Sequence, residues 1–140
     1  MEVGGISGEK SSVARIENVW NIGNITANPM EAEEVRLAGI VADGNNSIAK
    51  AFHTGKISST AEKTRYFGAI VGDSHTGTVI TDCFYQAQDN IFGSQSEDVE
   101  GITRMDELTN ETVVNKLNEN VNVHNQNLAE GENLLVLWKE

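Results

Sequence analysis

The chain has 140 residues, a single cysteine, and 21 acidic against 10 basic residues, for a formal net charge of −11. That length accommodates one domain with a modest core, and the acidic field disfavours binding to phosphate backbones or anionic lipid headgroups. Cys83 alone excludes an intrachain disulfide, and no apolar run approaches the length of a membrane span.

Val3-Gly4-Gly5-Ile6-Ser7-Gly8 opens the chain, short and rich in Gly and β-branched residues, and a polar turn (Glu9-Lys10-Ser11-Ser12) ends it. A strand-like segment follows, Ile16-Glu17-Asn18-Val19-Trp20-Asn21, which meets Gly23 and a further short piece, Asn24-Ile25-Thr26. The same text returns as Leu37-Ala38-Gly39-Ile40-Val41-Ala42, the turn Asp43-Gly44-Asn45-Asn46, Ile48 to His53, Gly55 and Lys56-Ile57-Ser58. It returns again as Phe67-Gly68-Ala69-Ile70-Val71-Gly72, the turn Asp73 to Gly77, and Ile80-Thr81-Asp82-Cys83-Phe84-Tyr85. Ile16, Ile48 and Ile80 recur every 32 residues, and so do Trp20, Phe52 and Phe84. A unit this size cannot bury its own apolar side, so copies must stack and share a core.

Short segments, glycines at corners and no helical period predict strands. Parallel in-register stacking would place isoleucine on isoleucine and aromatic on aromatic about 4.8 Å apart. A meander of antiparallel hairpins is the alternative, whereas a propeller needs four strands per blade and at least four blades. The expected fold is therefore all-β, a right-handed parallel β-helix of about three coils. Residues 1–89 carry the repeats and 90–140 a capping segment of the same domain.

Strict alternation would set Ile16 and Val19 on opposite faces although both columns are apolar, so a bend or bulge between positions 17 and 19 is expected to turn both inward. Cys83 shares its column with Val19 and Ala51, the place of a small buried side chain. The third copy decays at Ala87 and Asp89, which stand where the others have Gly and Ile, so the stack is expected to end near Tyr85. Thr103 to Leu108 reads as a helical turn, Thr109 as the cap of a helix through Val113, Val114 and Leu117, and Leu134 to Trp138 as a last strand. Together they are expected to cover the last coil. Val3 opens the first repeat two residues behind Met1, a start that reads as a piece of a longer chain, so the absence of a leader carries no information on compartment.

The blocks Gly4 to Gly8 and Ala69 to Gly72, each followed by Ile-x-x-Val/Cys-aromatic, and the run Gly23-Asn24-Ile25-Thr26 resemble the GLUG repeat of bacterial surface proteins. The middle copy departs most, with Ala42, Lys50, Ala51 and His53 at repeat positions usually held by other residues. The tail from Met105 to Trp138 is similar to what often follows such repeats. The resemblance implies a secreted or surface-anchored bacterial protein and a β-solenoid, and it supplies no catalytic residues.

A search for chemistry yields little. There is no His-Glu-x-x-His, and His53, His75 and His124 lack metal-ligand spacing, which predicts surface or turn histidines. Gly4 to Gly8 lacks a phosphate-loop Lys and reads as a repeat corner. Asp43-Gly44-Asn45-Asn46 reads as a plain turn rather than a calcium loop, and Glu31, Glu33 and Glu34 as solvated charge. No catalytic, cofactor-binding or metal-binding residue is therefore predicted. The expected role is a non-catalytic module, a spacer or adhesive face for a glycan or host protein, continuous with its parent chain and binding neither nucleic acid nor membrane. The alternative is a fragment of a carbohydrate-active β-helix enzyme, for which Asp82 with Lys50 is the acid/base pair lying on one ladder.

Overall fold

A computed structural model describes residues 1–9, 15–28, 34–44, 47–60, 64–95 and 99–118. The first repeat supplies β1 (Glu2–Gly4), β2 (Ser7–Glu9), β3 (Arg15–Asn21) and β4 (Ile25–Ala27). The second supplies β5 (Glu34–Ala38), β6 (Val41–Gly44), β7 (Ser47–His53) and β8 (Ile57–Ser59). The third supplies β9 (Thr64–Gly68), β10 (Val71–Ser74), β11 (Val79–Thr81) and β12 (Cys83–Gln86), and β13 (Ile102–Met105) and helix α1 (Asn110–Asn118) follow.

The chain is mostly β, and every strand of the three repeats pairs in parallel with its equivalent in the neighbouring repeat: β1-β5-β9, β2-β6-β10, β3, β11 and β12 on β7, and β4-β8. Ile16 pairs with Ile48 and Ile48 with Ile80, while Trp20 pairs with Phe52 and Phe52 with Phe84. Both columns are stacked as their recurrence demands. The first sheets are not spaced like the third. Glu2 pairs with Arg36 and Glu34 with Thr64, offsets of 34 and 30 residues against 32 for Ile16 and Ile48. The connecting turns absorb the difference, since loop length is cheap to vary.

One backbone device lets a single strand serve two apolar layers. Asn18, Lys50 and Asp82, the same position in each repeat, have φ of 54°, 49° and 51°. This left-handed residue breaks the alternation of period two, as a bulge does. The Ile16/Ile48/Ile80 and Val19/Ala51/Cys83 columns consequently both join the main core, with Val35, Leu37, Ile40, Ile70 and Tyr85. Trp20, Phe52 and Phe84 point the other way, into a second cluster with Met105, Leu108, Val113 and Val114. Phe52 is fully buried and its ring stacks on Phe84 at 5.4 Å and 11°.

At the corner between the first two sheets the rungs approach too closely for side chains. A Cβ on Gly39 would stand 2.2 Å from His53 Cγ and 2.3 Å from the Ala69 carbonyl oxygen. This agrees with the reading of the glycine-rich blocks as corners.

Two expectations are corrected. The segment read as a helical turn from Thr103 is β13, whose residues Ile102 to Met105 pair in parallel with Cys83 to Gln86. The ladder also continues past residue 89 at the corner. Ala69 N donates to Phe92 O at 2.7 Å, Val71 N donates to Gly93 O at 3.2 Å, and Val71 bridges Ser94. Helix α1 forms as expected behind Thr109, whose Oγ1 accepts from Thr112 N at 3.2 Å. It packs against the aromatic column of Trp20, Phe52 and Phe84. The side chain of Leu117 and the strand expected from Leu134 to Trp138 lie outside the described residues.

Candidate functional site

Once the apolar columns are buried, the outward columns remain as the functional surface. Three places hold chemistry: a polar groove, an arginine-centred acidic cluster and an internal histidine.

The groove has a volume of about 560 Å³ and runs along the outside of β4 and β8. Asn24 with Lys56, and Thr26 with Ser58, line it as equivalent positions of the first and second repeats, and Asp89 and Arg104 also belong to its wall. Its shape follows from the place where the third copy decays. Ile25 N donates to Lys56 O at 2.8 Å, but the third repeat has no strand to extend that pairing. Gln88 substitutes for it: its Oε1 accepts from Ile57 N at 3.0 Å and its Nε2 donates to Gly55 O at 2.6 Å. A side-chain amide thus satisfies the edge that a backbone amide satisfies one rung earlier. Asn24 Oδ1 accepts from Lys56 N at 2.8 Å, and the hydroxyls of Thr26 and Ser58 bond at 3.1 Å.

The acidic cluster surrounds Arg36. Its Nε donates to Asp73 at 2.9 Å and lies 3.4 Å from Asp43, and its Nη1 contacts Glu34 and, at 3.4 Å, Glu2. The ring of Tyr66 lies 5.4 Å beneath the guanidinium. The Asp73 hydrogen bond raises the Arg36 pKa above its ordinary value, aided by the surrounding carboxylates against a cost from burial. Gln95 Nε2 donates to Asp73 at 2.6 Å, and the exposed His75 Nε2 bonds Asp43 at 2.6 Å. One ligand atom from each of Asp43, Asp73 and His75 lies within 4.8 Å of the others. This spacing suits a cation, but the guanidinium already serves both carboxylates. Glu34, expected to be solvated charge, is a partner of Arg36. His75 is the exposed turn histidine expected, while Asn45, Asn46, Glu31, Glu33 and His124 lie outside the described residues.

His53 overturns its expectation. It is fully buried, paired with Asn21 and Tyr85 in one inward column. Its Nδ1 faces Asn21 O at 3.1 Å, so that nitrogen carries the proton, and its Nε2 is buried with no hydrogen-bond partner. Burial pushes its pKa down to about 4, and the Asn21 and Gly55 backbone groups offset only part of that. Cys83 is buried as expected, and burial pushes its thiol up to about 11, which keeps it protonated and unreactive. Asp82 and Lys50 occupy the left-handed bend of successive rungs.

Two signals were present in the sequence and passed over. Asn24, Lys56 and Gln88 recur every 32 residues, and Glu9, Asp43 and Asp73 hold one register. Each is a polar column, which periodicity finds only when hydrophobic residues are not the sole search object. No protein family's sequence profile, no curated protein and no solved structure matches the chain.

Proposed function

We propose that the stacked repeats are about three coils of a right-handed β-solenoid with a small C-terminal cap, a GLUG-type module of a secreted or cell-surface bacterial protein. In this reading the module is non-catalytic, a spacer and adhesive face that takes a glycan or a host protein. One observation carries it: the repeats spend their apolar columns on two cores and present polar side chains in register on the outside. A ladder of this kind repeats a contact at intervals of about 4.8 Å, suited to a ligand that is itself a chain of repeating units. The position of His53 and Cys83, both sealed in the core, leaves neither as a general base or nucleophile.

The experiment is a binding survey of the purified chain on immobilised glycans and host extracellular glycoproteins, run beside a polysaccharide hydrolysis assay. Saturable binding without cleavage is the expected result. Turnover of any polysaccharide that is abolished by Asp82→Asn would replace this reading with the enzyme one.

A further inference from the structure

Six basic residues have described side chains, and most of the charge is already engaged. Arg15 pairs with Glu17 at 3.0 Å, Arg36 is held by its four carboxylates, and Lys116 lies 5.6 Å over the Phe84 ring. Lys56 and Arg104 are different. Neither has an ion-pair partner among the described residues, both are exposed, and both line the groove beside β8. In a chain of net charge −11, two unpaired cations converging on one groove are the exception to its electrostatics.

The rest of the lining defines what those cations would hold. Thr26 and Ser58 offer hydroxyls, and Asn24 keeps its amide N–H donors because only its Oδ1 is used by Lys56 N. Asp89 offers an acceptor in the same wall. The lining's apolar members are Ile57, whose side chain is buried, and the small Ala87. Two hydroxyls, the free amide of Asn24 and the Asp89 carboxylate match a sugar's ring of hydroxyls, and the rung spacing of about 4.8 Å is close to the length of one pyranose unit. A peptide strand would instead require pockets for alternate side chains. Asp89 accepts and so calls for a donor such as a sugar hydroxyl, which the phosphates of DNA or the sulfates of a sulfated polymer do not supply.

We propose that this groove is a binding site for an acidic saccharide, with one sugar carboxylate held between Lys56 and Arg104 and the neighbouring hydroxyls on Thr26, Ser58, Asn24 and Asp89. The inference rests on the adhesive reading above and specifies its ligand. Gln88 is a positioning residue, since both ends of its amide are committed to the β8 edge.

The test is a nuclear magnetic resonance titration of the whole chain with tetragalacturonate, its methyl ester, tetraglutamate and a short single-stranded DNA. Tetragalacturonate should shift the amides of Asn24, Lys56, Ser58, Asp89 and Arg104. Lys56→Gln and Arg104→Gln should each weaken it by roughly three- to tenfold, the range of one exposed charge-assisted contact. Arg15→Gln makes the same change in net charge away from the groove and should leave the affinity within about twofold. Equal binding of the methyl ester, of tetraglutamate or of DNA overturns the inference, as do shifts centred elsewhere or an Arg15→Gln effect of equal size. A neutral glycan bound in the groove would sink the acidic specificity while leaving the adhesive module intact. Absence of binding to every glycan and glycoprotein in the wider survey would sink both.

Discussion

Phe52→Ala tests the claim that an aromatic ladder on the flank, and not only the main core, holds the repeats to helix α1. Phe52 is fully buried in the middle rung, stacked on Phe84 and packed with Leu108, Val113 and Val114. Removing a buried Phe ring costs about 3–5 kcal/mol when the site cannot collapse, out of a total stability on the order of 5–15 kcal/mol. For a chain of this size, roughly 4 °C per kcal/mol places the drop in Tm at about 12–20 °C. Phe84 is half-buried and stands at the end of its column, so Phe84→Ala should cost about half as much. The assay is urea unfolding followed by far-ultraviolet circular dichroism and by Trp20 emission in a Trp138→Phe background. The emission should move to the red in Phe52→Ala, because Trp20 loses the neighbour with which it pairs. A cost below about 1 kcal/mol, or equal costs for the two substitutions, would show that α1 does not lie on this column.

Other outcomes follow from single positions. Lys50 holds a left-handed φ of 49° where the other repeats place Asn and Asp, so Lys50→Asn should raise stability by about 0.5–1 kcal/mol, and a lowered Tm would contradict the strain argument. Burial depresses the folded-state pKa of His53 from 6.5 to about 4. Its stability contribution is therefore complete above pH 6.5 and is lost as pH falls from there to about 4, by an amount on the order of 3 kcal/mol. His53→Gln should flatten that part of the pH profile measured by thermal unfolding. Gly39→Ala should lower the Tm by more than any surface substitution, because its Cβ would meet the Ala69 carbonyl oxygen, which is backbone and cannot rotate away.

What could be read from the chain was whatever repeats with the fold. Isoleucine and aromatic columns announced both stacking and register, because a parallel ladder places like residues on like. The bend between positions 17 and 19 was legible from a contradiction, two apolar columns that alternation cannot bury together, and Asn18 and Asp82 are the residue types that tolerate it. By contrast β13 has no local signature. Ile102 to Met105 becomes a strand because β12 offers an unpaired edge, and context of that kind overrides propensity. His53 was expected at the surface because it lacks metal-ligand spacing, but its partners Asn21 and Tyr85 share an inward column and it is buried with them. The groove depends on a strand that the third repeat lacks, and Gln88 completes that edge through a side chain, which leaves no mark in the pattern of strands.

The left-handed residue also accounts for why a helix accompanies these repeats at all. If the strand kept strict alternation, Ile16 and Trp20 would share the inner face and only the small Val19/Ala51/Cys83 column would face out. Inserting the bend at Asn18, Lys50 and Asp82 recruits Val19, Ala51 and Cys83 to the core, but it fixes Trp20, Phe52 and Phe84 outward. Each added rung deepens the core and adds an aromatic to the outside, so an uncovered stack would present a growing apolar stripe, the kind of surface that leads to association. Helix α1 answers this with Val113 and Val114 on the stripe and Lys116 over Phe84 at its edge. Its position consumes that flank. The faces the bend does not touch stay open, the arginine-centred acidic corner and the groove beside β8, and among the described residues the groove carries two cations without an ion-pair partner.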